Sequence, residues 1–279
     1  MFMKKITLLV VLLLCTTIVL AQKKEKVKGT KIVTLEKSAI PSFDQIEVED
    51  NIDLYLIKSD KNAIEVEADD NLHATINKQV YGTTLRVNTN KEVTSFKKFE
   101  VRVFYTDSLK LITVKHEAKL NAIQELNLAS ITLKTFDYSK SFINVNCPNF
   151  SIIATDKSKI EMNLKGSETT IEMNKNAEMK ALIATNKLKF DMYQKAEADI
   201  EGDTNDMRLR LDNNTKFIGK NLSIKSLDVT AENYVNCSVR AKDNLIITAT
   251  GKAEVTILGD PKIEIKKFAD DATLYKKSK

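Results

Sequence analysis

Three short phrases in this chain are nearly the same: "KNAEM" (175–179), "QKAEA" (194–198) and "GKAEV" (251–255). Five looser versions join them: "HEAKL" (116–120), "YSKSF" (138–142), "DKSKI" (156–160), "NNTKF" (213–217) and "NYVNC" (233–237). The apolar residues that close the phrases are Leu120, Phe142, Ile160, Met179, Ala198, Phe217, Cys237 and Val255. They fall 22, 18, 19, 19, 19, 20 and 18 residues apart. A catalytic site is written once, whereas a phrase recurring at a fixed period marks a repeat architecture. Around each phrase the apolar residues alternate, as in Ile160, Met162 and Leu164, or Met207, Leu209 and Leu211. Period two means strands, and no window shows a capped helical period of 3.6.

Two or three short strands and a turn in about 19 residues fit one coil of a parallel β-helix. Alternate residues point into the core, and the backbone bonds to the coils above and below. Neither the leucine-rich pattern nor a strict hexapeptide pattern is present. The fold expected is all-β, a single-stranded parallel β-helix with a β-rich N-terminal section over residues 40–105. The small residues in the phrases (Ala118, Ser158, Ala177, Ala196, Thr215, Ala253) belong where the chain bends and packs on neighbouring coils. With seven Gly and three Pro, the turns must be made mostly by Asn, Asp, Ser and Lys-Ala pairs.

This geometry decides the cysteines. Cys147 and Cys237 are separated by about five coil steps, roughly 24 Å at ~4.8 Å per step. A disulfide needs Cα atoms within about 7 Å, so they are expected to be unpaired and buried.

The chain opens on "MFMKKITLLVVLLLCTTIVLAQKK". Lys4 and Lys5 precede an apolar run from Ile6 to Leu20, and Val19 and Ala21 supply the small residues of a cleavage site. Residues 1–21 read as a cleaved secretory signal, and residues 22–39 as a flexible basic N-terminus. Two alternatives stay open. An uncleaved anchor would need about 20 apolar residues. A lipidated Cys15 would follow Leu14, which is large for that position. After cleavage no segment is apolar enough to span a bilayer. Loss of Lys4 and Lys5 leaves 41 basic residues against 38 acidic ones. They are interleaved, which argues against a nucleic-acid partner.

In the N-terminal section, Phe43, Ile46 and Val48 form "F-x-x-I-x-V". "EADDNL" (67–72) and "GTTLRV" (82–87) follow, then the small-residue turns, then "LGDPKI" (258–263). Over about residues 42–265 this order resembles the family of exported bacterial proteins described as putative auto-transporter adhesin, head GIN domain. The resemblance implies a right-handed coil of the pectin-lyase type without recognisable catalytic residues, and an adhesive role. It implies a protein exported to the periplasm, outer-membrane surface or medium. The family often places Gly-Ser-Gly or Ser-Gly-Ala at turns, where this chain writes Lys-Ala-Glu and Asp-Lys-Ser. Residues 40–265 are taken as the β-helical domain and 266–279 as a charged C-terminal tail.

His73 and His116 lack partners at zinc spacing. There is no phosphate loop, nucleophile elbow or Cys–His pairing. Asp69-Asp70 reads as a turn, and Asp270-Asp271 as part of the solvated tail. Glu161, Glu172, Asp191, Glu197 and Asp199 are expected to face outward among lysines, as a mixed-charge sheet surface does. Tyr138, Tyr193 and Tyr234 stand near turns and are candidate sugar contacts. No catalytic, cofactor-binding or metal residue is assigned. The expectation is a non-enzymatic envelope binding module whose partner is a cell-surface polysaccharide or an envelope protein. A polysaccharide lyase or hydrolase on the same scaffold and a structural spacer are the alternatives.

Overall fold

The computed structural model describes residues 24–277. Nearly all of the regular structure is strand, and the exception is one 3-10 helix, Asp70–Thr75. The signal-peptide reading of residues 1–21, with Cys15, lies outside the described residues.

The expected coil is present: a parallel β-solenoid of about nine turns, about 19 residues apart. Each turn has two legs. The first face stacks Leu111–Val114, Ser130–Thr135, Asn149–Ala154 and Glu168–Met173, each parallel to the next. The second face stacks Lys119–Asn127, Lys140–Asn146 and Lys159–Lys165, and then the opening half of Glu178–Met192. From there the second-face leg of one turn runs without a break into the first-face leg of the next, as in Glu197–Asp212, Lys216–Glu232 and Asn236–Ala249. Alternation sorts the side chains. Ile160, Met162 and Leu164 are buried, while Lys159, Glu161, Asn163 and Lys165 are exposed. In Glu178–Met192 the phase slips once, where Asn186 and Lys187 both face out and the strand changes face. Inward residues from successive turns form one continuous apolar core, in which Phe190 meets Phe217 edge-on at 5.5 Å.

The five-letter phrases are the turns between the faces. Their small residues are buried without exception, and Ala118, Ser158, Ala177, Ala196 and Ala253 have no exposed surface. Their N–H groups close the turns, as Ala177 N donates to Asn174 O (3.1 Å) and Ser158 N to Thr155 O (3.2 Å). Two residues before each of these turn positions, which Ile52 and Val235 fill in two of the turns, the backbone is left-handed. Asp50, His116, Asp137, Asp156, Lys175, Gln194, Asn213, Asn233, Gly251 and Asp270 all have φ between 49° and 69°. Seven of those ten are Asn, Asp or Gly, the residues that enter this region at least cost.

One register differs from the sequence reading. Leu120 pairs with Ser141, and Ser141 with Ile160, so Ser141 and not Phe142 closes its phrase. The separations there become 21 and 19. The cause is a bulge in Lys119–Asn127, between Ala122 and Leu126, that leaves Ile123, Gln124 and Glu125 all outside.

The N-terminal section builds the cap. Gln45–Val48 and Asp53–Lys58 lie in register with Leu111–Val114 and Lys119–Asn127. Beneath them Thr84–Thr89 and Phe99–Tyr105 add one more parallel level. Antiparallel strands then finish the stack: Ile76–Tyr81 on one face, Ala63–Asp69 and Val33–Ala39 on the other. Residues 22–39, expected to be flexible, therefore contain structure. Lys26–Lys28 pairs with Glu92–Thr94, and Val33–Ala39 pairs along its whole length. The expected charged tail from 266 is likewise part of the last turn, formed by Lys262–Phe268 and Thr273–Lys277. Cys147 and Cys237 are buried and free.

Candidate functional site

The bulge at Ile123 begins an open groove on the second face. In a strand a bulge re-aims side chains locally. Here it pushes an isoleucine into solvent, 71% exposed. On the next level of the second face Phe142 is 38% exposed, and two levels further on Leu182 is 52% exposed. All three line one open cavity of about 430 Å³. Two neighbouring cavities, of about 330 and 340 Å³, share lining residues with it and extend it along the strands.

Two columns of side chains cross the strands here. One runs Asn144, Asn163, Leu182, Glu201 and begins beside Ile123. Asn144 Nδ2 donates to Ile123 O (2.8 Å), and Asn163 Nδ2 donates to Asn144 Oδ1 (2.8 Å). The amides are thus held in a fixed direction. The other column runs Asn121, Phe142, Glu161, Lys180, Asp199, Ile218. Five levels at ~4.8 Å give a groove roughly 19 Å long. Its chemistry is an apolar end at Ile123 and Phe142, an amide middle, and a second apolar point at Leu182. Carboxylates and one ammonium lie alongside.

Several charges on the neighbouring surface are paired. Lys159 pairs with Glu178 (2.8 Å), Lys187 with Glu168 (3.0 Å), Lys189 with Asp191 (3.1 Å) and Lys175 with Asp156 (3.3 Å). Glu161, Lys180, Asp199 and Glu201 form no ion pair within 4 Å among the described residues. Glu201 instead accepts a hydrogen bond from Asn221 Nδ2 at 3.0 Å.

The candidates read from sequence fall in several places. Of the outward carboxylates, Glu161, Glu197 and Asp199 border the groove, whereas Glu172 and Asp191 sit on the first face. The tyrosines lie on the turn edge, away from the groove. Each carries a cation over its ring: Lys157 on Tyr138 at 5.1 Å, Arg210 on Tyr193 at 6.0 Å and Lys252 on Tyr234 at 5.4 Å. Tyr138 and Tyr234 are well exposed, and Tyr193 is half-buried. Burial and the Asp191 carboxylate push the Tyr193 phenol up.

Asp69 is fully buried. Its carboxylate accepts the N–H groups of Lys31 (2.8 Å), Lys97 and Lys98 (both 3.1 Å), a structural clamp on the capping loops. Burial alone would raise its pKa, but these donors hold it below the usual carboxylate value. Asp270 accepts from Gly251 N (2.9 Å) in the last turn. His73 is buried in the cap with Nε2 at 2.9 Å from Thr34 Oγ1, and His116 is a left-handed turn residue. No cluster of three or more His, Cys, Asp or Glu side chains fit for a metal occurs among the described residues.

Sequence reasoning missed Ile123, Leu182, Asn144 and Asn163. The available signal was the overlong first repeat, in which Ile123-Gln124-Glu125 breaks the alternation.

Known structures share the architecture. An adhesin-designated protein from Parabacteroides merdae ATCC 43184 superposes with a TM-score of 0.65 at 18% identity, covering 90% of this chain and 99% of that one. Another from Parabacteroides distasonis ATCC 8503 gives 0.62 at 20% identity, covering 90% and 100%. A third, described as a putative lipid binding protein from Parabacteroides distasonis ATCC 8503, gives 0.63 at 13%, covering 90% and 99%. At these identities the likeness shows the fold alone. No curated protein matches the sequence. Among the described residues no helix is long and apolar enough to cross a membrane. The family model matches residues 42–261, from the first strand of the stack to the turn before the last coil. The chain belongs to the family described as putative auto-transporter adhesin, head GIN domain.

Proposed function

We propose that this protein is a non-enzymatic binding module of the exported cell envelope, and that it holds a saccharide chain in the second-face groove. The observation that carries this reading is the set of exposed apolar side chains, Ile123, Phe142 and Leu182, that line one cavity with an ordered amide pair. A solvated sheet face alternates polar residues and has no reason to project an isoleucine through a bulge. Apolar contact with fixed amides and carboxylates is the usual make-up of a small-ligand site, and it suits sugar rings, which present C–H faces and hydroxyl edges. A polypeptide partner adding as a strand fits less well, because the backbone of these central levels is already bonded on both sides.

The test uses residues 22–279 on an array of bacterial and host polysaccharides, reading both retained ligand and released sugar. Retention without release is expected. The double variant Phe142→Ala, Leu182→Ser, which changes exposed positions only, should weaken retention about tenfold or more while leaving thermal unfolding in place. Unchanged retention in the variant would remove the groove from the account. Release of reducing or unsaturated sugars would replace binding with turnover, and Glu161, Asp199 and Glu201 would then be the residues to substitute.

A further inference from the structure

Resting on the saccharide reading of the groove, we infer that its ligand carries positive charge: an amino-sugar chain with free amines, as opposed to a uronate or a fully acylated chain. The 430 Å³ cavity holds three carboxylates, Glu161, Asp199 and Glu201, against one ammonium, Lys180. On neighbouring levels Lys159, Lys187 and Lys189 are held in ion pairs, while Lys165 and Lys216, which line the two flanking cavities, are outside the main one. In the cavity the carboxylates are left without a cation within 4 Å among the described residues, although Lys180 stands in register between Glu161 and Asp199. An excess of unpaired negative charge in a concave site attracts cations and repels polyanions.

The carboxylates also lie where an amine would need them. Asp199 and Glu201 are outward neighbours on one strand, and Glu201 follows Leu182 in the column that begins with the two asparagines. A ring seated on Leu182 would bring its substituents to Glu201, while the hydroxyls of the preceding ring would reach Asn163. A basic peptide would meet the same charge but would gain little from the ordered Asn144–Asn163 amide pair.

The experiment compares binding of a glucosamine oligomer, its N-acetylated counterpart and a galacturonate oligomer, at low and high salt and at a pH where the amines are protonated. The glucosamine oligomer should bind tightest and lose affinity as salt rises. Asp199→Asn and Glu201→Gln should each weaken it about two- to fivefold and should weaken the N-acetylated chain less. A lysine oligomer serves as competitor. Equal binding of all three sugars, or preference for galacturonate, overturns the charge assignment. Loss of binding in Phe142→Ala would then still support the groove. Displacement by the lysine oligomer at equal charge concentration would show that the groove reads charge and not sugar, and would overturn the inference. No binding of any of the three chains overturns it as well.

Discussion

At the scale of single residues, backbone conformation explains more of this sequence than side-chain chemistry does. Gly202 has φ of +112°, and a Cβ there would stand 2.1 Å from Ile183 O of the previous turn. Gly202→Ala combines a forbidden backbone angle with a backbone clash. It should cost about 2–4 kcal/mol, read as a lower thermal midpoint. A midpoint within a degree of the parent would show that the turn can shift to make room. Asp69 predicts a pH effect. Its folded pKa lies below its unfolded value of about 3.8. The stability it contributes is therefore complete above the unfolded pKa and is lost as pH falls through the folded pKa. Proteolysis between Gly29 and Ala39 should accelerate on acidification through that window, and Asp69→Asn should show the fast rate already at neutral pH. Equal rates for parent and variant at neutral pH would contradict the clamp. The left-handed turn column was partly legible beforehand, because Asn, Asp and Gly occupy most of it. His116, Lys175 and Gln194 hide it, since neighbouring coils hold residues there that would not choose that conformation alone.

At the scale of the repeated element, the turn and its two legs set different demands. The small-residue column packs coil on coil with no spare volume, and Ala177 lies between Ser158 and Ala196. Ala177→Leu should destabilise by about 1–3 kcal/mol through overpacking. A chemical-denaturation midpoint equal to the parent's would mean that the column has slack. The sequence made the column visible, since small residues recur beside charged ones. Its error at Phe142 is instructive. An apolar residue in a five-letter phrase looks inward, yet the bulge's two extra residues lengthen this repeat from 19 to 21, so Ser141 is the inward residue and Phe142, one position on, points out. Strand periodicity reports that alternate residues share a face. It does not report which face, once a bulge intervenes.

At the scale of the whole molecule, the two ends are unlike. The N-terminal end closes with antiparallel strands. The C-terminal end presents Lys262–Phe268, where Ile265 and Phe268 are 50% and 43% exposed at the open end of the core. Edges of this kind invite pairing with another chain, and lysines and bulges discourage it. This strand carries Lys262, Lys266 and Lys267, and its register shifts after Ile265. Replacing the three lysines with threonine should raise the mass-average molar mass above that of the parent chain in light scattering. An unchanged mass would mean that something other than charge protects the edge.

The sequence by itself determined the strand content, the period, the inward alternation, the buried turn residues and the separation of the two cysteines. Each of these follows from local spacing, repeated often enough to be read. Tertiary structure alone decided which outward residues become neighbours. Ile123, Asn144, Asn163, Leu182 and Glu201 lie far apart in the chain and meet because stacking places residues about 19 apart within one backbone spacing of each other. It also decided the ends. Residues 22–39 read as a flexible basic segment and 266–279 as a charged tail, but the edge strands within them gain backbone hydrogen bonds from the stack while keeping polar side chains in water. Their composition therefore resembles that of unstructured chain.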